Sequence, residues 1–235
     1  MSDQHYLLCI ETATSTCSVA LSNGQELLGM RESREPNMHA AAVTVFIQEL
    51  VADCGITFDS LSAIAVSKGP GSYTGLRIGV SVAKGLCYAL DIPLISVNSL
   101  LAMAQGYLSD NDDLAKKTVL CPMIDARRME VYVATFDTHL KELEATKALI
   151  VDAESFDQWT NKNQQVVLFG TGADKLQQLF EGNNKIEVVL GFQNSAAHMI
   201  PLAWQKFKAQ NFEDVAYFEP FYLKDFVATT PKKMF

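Results

Sequence analysis

The chain has 235 residues, enough for one large domain or two ordinary ones, which excludes a mini-protein held by disulfides or a metal. Its 49% hydrophobic and 20% charged residues, with 13 Gly and 7 Pro, exclude a disordered, collagenous or coiled-coil chain. Nineteen Lys plus Arg against 27 Asp plus Glu leave a net charge of -8, which repels a polyanion unless a local patch overrules it. The basic pairs Lys116-Lys117, Arg127-Arg128 and Lys232-Lys233 stand alone, without interleaved aromatics, and read as solvated surface pairs.

No apolar run approaches the roughly 18 residues of a membrane span. The start, Met1-Ser2-Asp3-Gln4-His5, lacks a basic segment before its short apolar run, so the expectation is a cytoplasmic protein without leader or membrane contact. Cys9, Cys17, Cys54, Cys87 and Cys121 are odd in number and form no C-x-x-C, as expected of buried reduced thiols.

In chain order, Tyr6 to Ile10, Cys17 to Leu21 and Glu26 to Ser33 read as three antiparallel strands, the last two joined by an Asn23-Gly24 turn. Met38 to Cys54 reads as an amphipathic helix, with Val43, Phe46, Ile47, Leu50, Val51 and Cys54 on one face and Gly55 as its stop. Leu61 to Val66 follows as a buried strand, Gly75 to Leu90 as a helix, Pro93 to Val97 as a strand and Leu100 to Leu108 as a short helix.

After a polar segment, Ser109 to Lys117, the same order begins again. Val119 to Asp125, Glu130 to Phe136 and Leu143 to Val151 read as strands, then Ala153 to Thr160 as helix and Val166 to Phe169 as strand. Ala173 to Phe180 as helix, Ile186 to Leu190 as strand and Ala196 to Gln210 as helix complete the pattern. Overlaying the two beginnings puts Glu11 on Asp125, an acid at the end of each first strand. The implied fold is a duplicated, two-lobed α/β architecture, residues 1–108 forming the first lobe and residues 109–235 the second, with a ligand cleft between.

The sharpest local feature is Ser67-Lys68-Gly69-Pro70-Gly71-Ser72-Tyr73-Thr74-Gly75-Leu76-Arg77-Ile78-Gly79, between a buried strand and a helix. It matches neither a Walker A loop nor the dinucleotide fingerprint, which leaves a phosphate cradle at a helix N-terminus or a structural turn with a Ser/Thr cap. Gly79 and Gly85 lie inside the helix that follows, each costing about 1 kcal/mol against alanine. Gly75, Gly79 and Ala83 recur every four residues and suggest close approach of another helix, while Arg77, Ser81, Lys84 and Tyr88 form a narrow polar stripe.

These residues resemble a known family. Ile10-Glu11-Thr12-Ala13-Thr14, the segment from Lys68 to Gly79, Ala83-Lys84-Gly85-Leu86, Ile124-Asp125-Ala126-Arg127 and Pro220-Phe221-Tyr222-Leu223 look like the TsaB (YeaZ) family of bacterial tRNA threonylcarbamoyladenosine biosynthesis proteins. The resemblance implies the actin/HSP70/sugar-kinase fold. It also implies a scaffold role in a complex that transfers threonylcarbamoyl to N6 of the adenosine beside the anticodon of ANN-decoding tRNAs. TsaD, the paralogue, is the implied catalytic partner, with TsaE on the assembled complex, a homodimer in the absence of TsaD, and tRNA met only through the complex.

The paralogue holds a metal with two histidines where this chain has Ser99 and Met103, a hydroxyl and a thioether that replace imidazole poorly. No metal site is therefore expected, and His5, His39, His139 and His198 do not rebuild one. The first hairpin, Glu11-Thr12-Ala13-Thr14-Ser15-Thr16, lacks the glycines of an active ATPase, so Glu11, Thr12, Asp125, Arg127, Gly170 and Gly172 are expected to outline a vestigial nucleotide cleft. No cofactor is expected beyond a weak ATP contact at the complex interface, and no catalytic residue is assigned. The expected TsaD interface covers His39, Val43, Phe46, Ile47 and Leu50 on one helix and Gly75, Leu76, Gly79, Val80, Ala83, Leu86 and Cys87 on the next. A bulky charge at Gly79 or Ala83 is expected to abolish the complex while sparing the fold. The alternatives are a stand-alone ATPase or kinase and, less favoured, a metallopeptidase.

Overall fold

A strand that is apolar on both faces belongs in the middle of a sheet. The computed structural model describes residues 4–35, 38–111, 113–114 and 117–224, and the run β1 (Tyr6–Glu11) lies at the centre of its first sheet. It pairs antiparallel with β2 (Cys17–Asn23) and parallel with β4 (Leu61–Gly69). With β3 (Glu26–Ser33) and β5 (Leu94–Asn98) at the edges, the order is β3-β2-β1-β4-β5. The Asn23-Gly24 turn forms as expected, with Gly24 at φ 59°.

The second sheet repeats this arrangement. Its strands are β6 (Thr118–Asp125), β7 (Glu130–Phe136), β8 (Glu142–Ile150), β9 (Gln165–Phe169) and β10 (Ile186–Val189), in the order β10-β9-β6-β7-β8. Each sheet thus has its first strand central, an antiparallel hairpin on one side and two parallel strands on the other. Glu11 and Asp125 each end the central strand of their sheet, so the overlay of the two beginnings holds in space.

The helices repeat less well. α1 (His39–Asp53) packs Val43, Ile47, Leu50 and Val51 on the first sheet, together with Val80, Ala83 and Cys87 of α2 (Tyr73–Leu90). Ser72 caps α2 by accepting from the Gly75 amide at 3.3 Å, and Asn98 caps α3 (Ser99–Asp110) by accepting from Leu100 and Leu101 at 2.9 and 3.1 Å.

In the second half, the helix expected over Ala153 to Thr160 shrinks to α4 (Asp157–Thr160), and that over Ala173 to Phe180 to a single 3-10 turn, Asp174–Leu176. Segments of eight residues barely repay the cost of helix nucleation. The helix expected over Ala196 to Gln210 begins as a 3-10 turn, Ala196–Met199, and becomes α5 (Ile200–Lys208) only where Pro201 fits the first turn.

After β10 the chain returns to the first sheet. Ala196 donates its amide to Ser18 Oγ at 2.9 Å, and Lys206 Nζ donates to the Ser96 carbonyl at 2.7 Å. Glu213 donates its amide to the Leu94 carbonyl at 2.8 Å, and Val215 and Phe218 pack against the core beneath α1 and α2. Four cysteines are buried and Cys54 half-buried, all unbridged, and burial pushes the Cys9 thiol up to about 12. Among the described residues no helix is long and apolar enough to cross a membrane. Lys116 and the pair Lys232-Lys233 lie outside the described residues.

Candidate functional site

The glycine segment resolves as a structural junction. Ser72 donates its amide to the Ala13 carbonyl at 2.7 Å, so the connection between β1 and β2 sits on the N-terminus of α2. A Cβ on Gly71 would lie 2.2 Å from that same carbonyl oxygen, and one on Gly75 would lie 2.1 Å from the Thr12 carbonyl oxygen. The glycines serve this contact: the amides of Ser72 and Gly75 are already taken, by the Ala13 carbonyl and by Ser72 Oγ, and neither is left for an anion. His39 Nε2 donates to the Thr14 carbonyl at 2.9 Å and ties the start of α1 to the same connection.

The two acids have separate fates. Glu11 is 0% exposed; its Oε1 accepts from the Ala13 amide at 2.6 Å and from Ser67 Oγ at 2.9 Å. Burial pushes its carboxyl up to about 7, although hydrogen bonds from Ala13 and Ser67 pull the other way. Asp125 is half-exposed, pairs with Lys175 and accepts from the Arg127 amide at 3.1 Å, forming a turn in which Arg127 and Arg128 take φ of 75° and 51°. One carboxyl is sealed in the core and the other holds its own turn, so they do not form a pair around a common ion.

Between the sheets lies a cleft of about 960 Å³, bounded by Thr14, His39, Ser72 and Tyr73 on one side, Asp125, Arg127 and Thr171 on the other, and Phe221 to Lys224. Of the residues expected to outline it, Asp125 and Arg127 do so, whereas Glu11, Thr12, Gly170 and Gly172 lie behind its wall. A Cβ on Gly170 would fall 2.1 Å from Met103 Cε, and one on Gly172 would fall 2.9 Å from Met123 Cβ. Met103 and Ser99, at the positions that the resemblance aligns with two metal-holding histidines, are buried, Met103 within the core around α3. Among the described residues no group of three or more His, Cys, Asp or Glu is placed to hold a metal. The residues present do not fit a nucleotide with its ion, and no chemical step through one follows from this geometry.

The C-terminal stretch of the cleft wall is firmly held. Phe221 donates its amide to the Lys68 carbonyl at 2.7 Å, the Tyr222 ring lies 4.8 Å from that of Tyr73, and Lys224 pairs with Glu130 of β7. Arg77 Nη1 donates to the Tyr73 hydroxyl at 3.0 Å. The sequence reading had no signal for Tyr73 or Lys224 as lining residues, because their partners are about 150 and 95 positions away.

The outer surface of α1 and α2 differs from the expected interface in one respect. Val43, Ile47, Leu50, Gly75, Leu76, Gly79, Val80, Ala83 and Cys87 are buried within the chain, while His39, Phe46 and Leu86 are half-buried. The repeat Gly75, Gly79, Ala83 therefore does not receive a second helix: a Cβ on Gly79 would lie 2.2 Å from Thr12 Oγ1. The outward glycine is Gly85, where an added Cβ would meet nothing within 4 Å. It belongs to an exposed ridge of Thr74, Arg77, Ser81, Gly85 and Tyr88, beside a groove of about 470 Å³ lined by Ala40, Val43, Tyr73, Ile78 and Val82 among others.

Two lobes with one strand order, meeting at a cleft between their sheets, define the class: the duplicated α/β fold of actin and the sugar kinases. The family described as TsaD, tRNA N6-adenosine threonylcarbamoyltransferase, matches residues 35–232. The chain is 31% identical over 229 residues to the Escherichia coli (strain K12) tRNA threonylcarbamoyladenosine biosynthesis protein TsaB, covering 94% of this chain and 96% of that one. It is 30% identical over 178 residues to the protein of the same name from Bacillus subtilis (strain 168), covering 74% and 75%. The solved structure of YeaZ from Pseudomonas aeruginosa superposes with a TM-score of 0.78 at 25% identity, over 93% of this chain and 100% of that one. The chain belongs to the TsaB (YeaZ) family.

Proposed function

We propose that this chain takes part in tRNA threonylcarbamoyladenosine biosynthesis as a non-catalytic scaffold that binds and activates TsaD. The observation that carries the reading is the packing at Met103: its Cε occupies the space beside Gly170, so the position of a metal-holding imidazole in the paralogue has become core. Family membership supports the pathway, and the filled cradle at Ser72 and Gly75 supports a role without chemistry of its own. The docking surface is the outward side of α1 and α2, where the bare backbone at Gly85 permits close approach of another helix. TsaE joins the assembled complex, tRNA is met through it, and a second copy of the chain takes TsaD's place on the same surface when TsaD is absent.

Threonylcarbamoyl transfer to tRNA, reconstituted with TsaD, TsaE and either this chain or none, tests the reading. Activity should require the chain, and Gly85→Arg should abolish both co-elution with TsaD and activity while the variant melts like the wild type. Turnover by the isolated chain at a rate near that of the full mixture would overturn it.

A further inference from the structure

Within the polar stripe Arg77, Ser81, Lys84 and Tyr88, it is Lys84 that holds the returning C-terminal segment. Lys84 Nζ donates to the carbonyls of Ala216 and Phe218, at 3.2 and 3.0 Å, and so grips the backbone on both sides of Tyr217. Asp214 Oδ1 accepts from the amides of Ala216 and Tyr217 at 2.8 and 3.2 Å, and the Phe218 amide donates to the Asp214 carbonyl at 2.8 Å. Val215 and Phe218 pack, half-buried, against the core. A turn pinned at this many points leaves its middle side chain little choice of direction, and Tyr217 is held outward, 84% exposed. One helical turn beyond Lys84, Tyr88 is 86% exposed. A rigid scaffold that keeps large rings in water has the form of a preorganised contact, because the ordering cost of the binding residues is met in folding.

Three exposed carboxylates accompany the rings: Asp91, three residues after Tyr88 at the end of α2, and Asp214 and Glu219 beside Tyr217. Aromatic faces bordered by carboxylates favour guanidinium and ammonium groups, which stack on the rings and pair with the acids. The same acids disfavour a nucleic-acid backbone.

We infer that Tyr88, at the end of the Gly85 ridge, and Tyr217, with Asp91, Asp214 and Glu219, extend that ridge into a docking patch whose occupant is a basic segment of the protein partner. The inference rests on the proposed binding of TsaD and adds the charge of the partner surface and a contribution from the C-terminal segment. Lys84 is the positioning residue that presents the patch.

The experiment is binding of purified TsaD to the full chain by biolayer interferometry at 50 and 300 mM salt. Tyr217→Ala should raise Kd at least tenfold, mainly through faster dissociation, with an unchanged melting temperature. Asp214→Asn combined with Glu219→Gln, which keeps the Asp214 acceptor oxygen, should slow association several-fold at low salt and flatten the salt dependence. Failure of the wild type to bind TsaD would remove the underlying functional reading. Wild-type binding with both variants unaffected would overturn the patch alone. So would variants that bind TsaD normally but lose self-association or tRNA retention, because the occupant would then be a second copy or a polyanion.

Discussion

The two halves share one sheet order, yet the first keeps α1 and α2 at 15 and 18 residues, while the corresponding stretches of the second are a four-residue helix and a 3-10 turn. A strand inside a sheet is fixed by ladders on both sides, so its loss would break its neighbours as well. A helix on a sheet is fixed mainly by the face it buries, and it can shorten without unzipping anything. The halves therefore differ where the fold tolerates difference, and the long helices remain in the half that carries the ridge and the groove.

The strongest way to break this comparison is at the junction between α2 and the β1–β2 connection. Gly79→Asp should cost about 3 kcal/mol or more, since the new side chain has to displace Thr12 and with it the connection seated on α2. Thermal denaturation should show the loss in the isolated chain, before any partner is added. A variant that melted like the wild type would mean that α2 can lift off the β1–β2 connection. The same geometry makes Gly79 a poor probe of partner binding, contrary to the sequence-based expectation.

The two acids give the next effect. Glu11 has its carboxyl raised from 4.5 to about 7 by burial, so between those values the folded chain holds a proton that the unfolded chain has released. The sign follows: stability should be greatest below about pH 4.5 with respect to this group and should fall as pH rises through about 7, by on the order of 2–3 kcal/mol. Glu11→Gln keeps an acceptor for the Ala13 amide and Ser67 Oγ and removes the titration. Urea denaturation at pH 5 and pH 8 should show the gap between the two conditions shrink in the variant, with the gain in stability at pH 8. An unchanged gap would assign the pH dependence elsewhere.

The strands were legible in the sequence because apolar runs and turn residues report local chemistry: Asn23-Gly24 and the Glu11 and Asp125 strand ends fall as expected. Of Ser99 and Met103, where the resemblance implies two imidazoles in the paralogue, the structure places Met103 in the core against Gly170. The orientation of α2 was not legible. Gly79 and Gly85 are six residues apart, about 240° around a helix, so they cannot share a face, but nothing local says which one looks outward. The buried set Leu76, Val80, Ala83 and Cys87, spaced by four, three and four, answers this once the sheet is known to lie beneath it. The pinned Tyr217 turn was out of reach, because it depends on Lys84, more than 130 positions away.

The smallest effect discriminates most finely, because it replaces another glycine of the same helix and has the opposite sign. Gly85→Ala places a methyl group where nothing lies within 4 Å and removes the backbone freedom of a mid-helix glycine, so the isolated chain should gain about 1 kcal/mol, roughly 2–4 °C in melting temperature. If the bare backbone exists to admit a partner helix, that gain should be accompanied by several-fold weaker binding of TsaD in the interferometry assay. Stabilisation with unchanged affinity would mean that the partner does not cross α2 at Gly85. The contact would then have shifted toward the groove at Ala40 and Ile78, and the glycine would be an unused vacancy in an otherwise good helix.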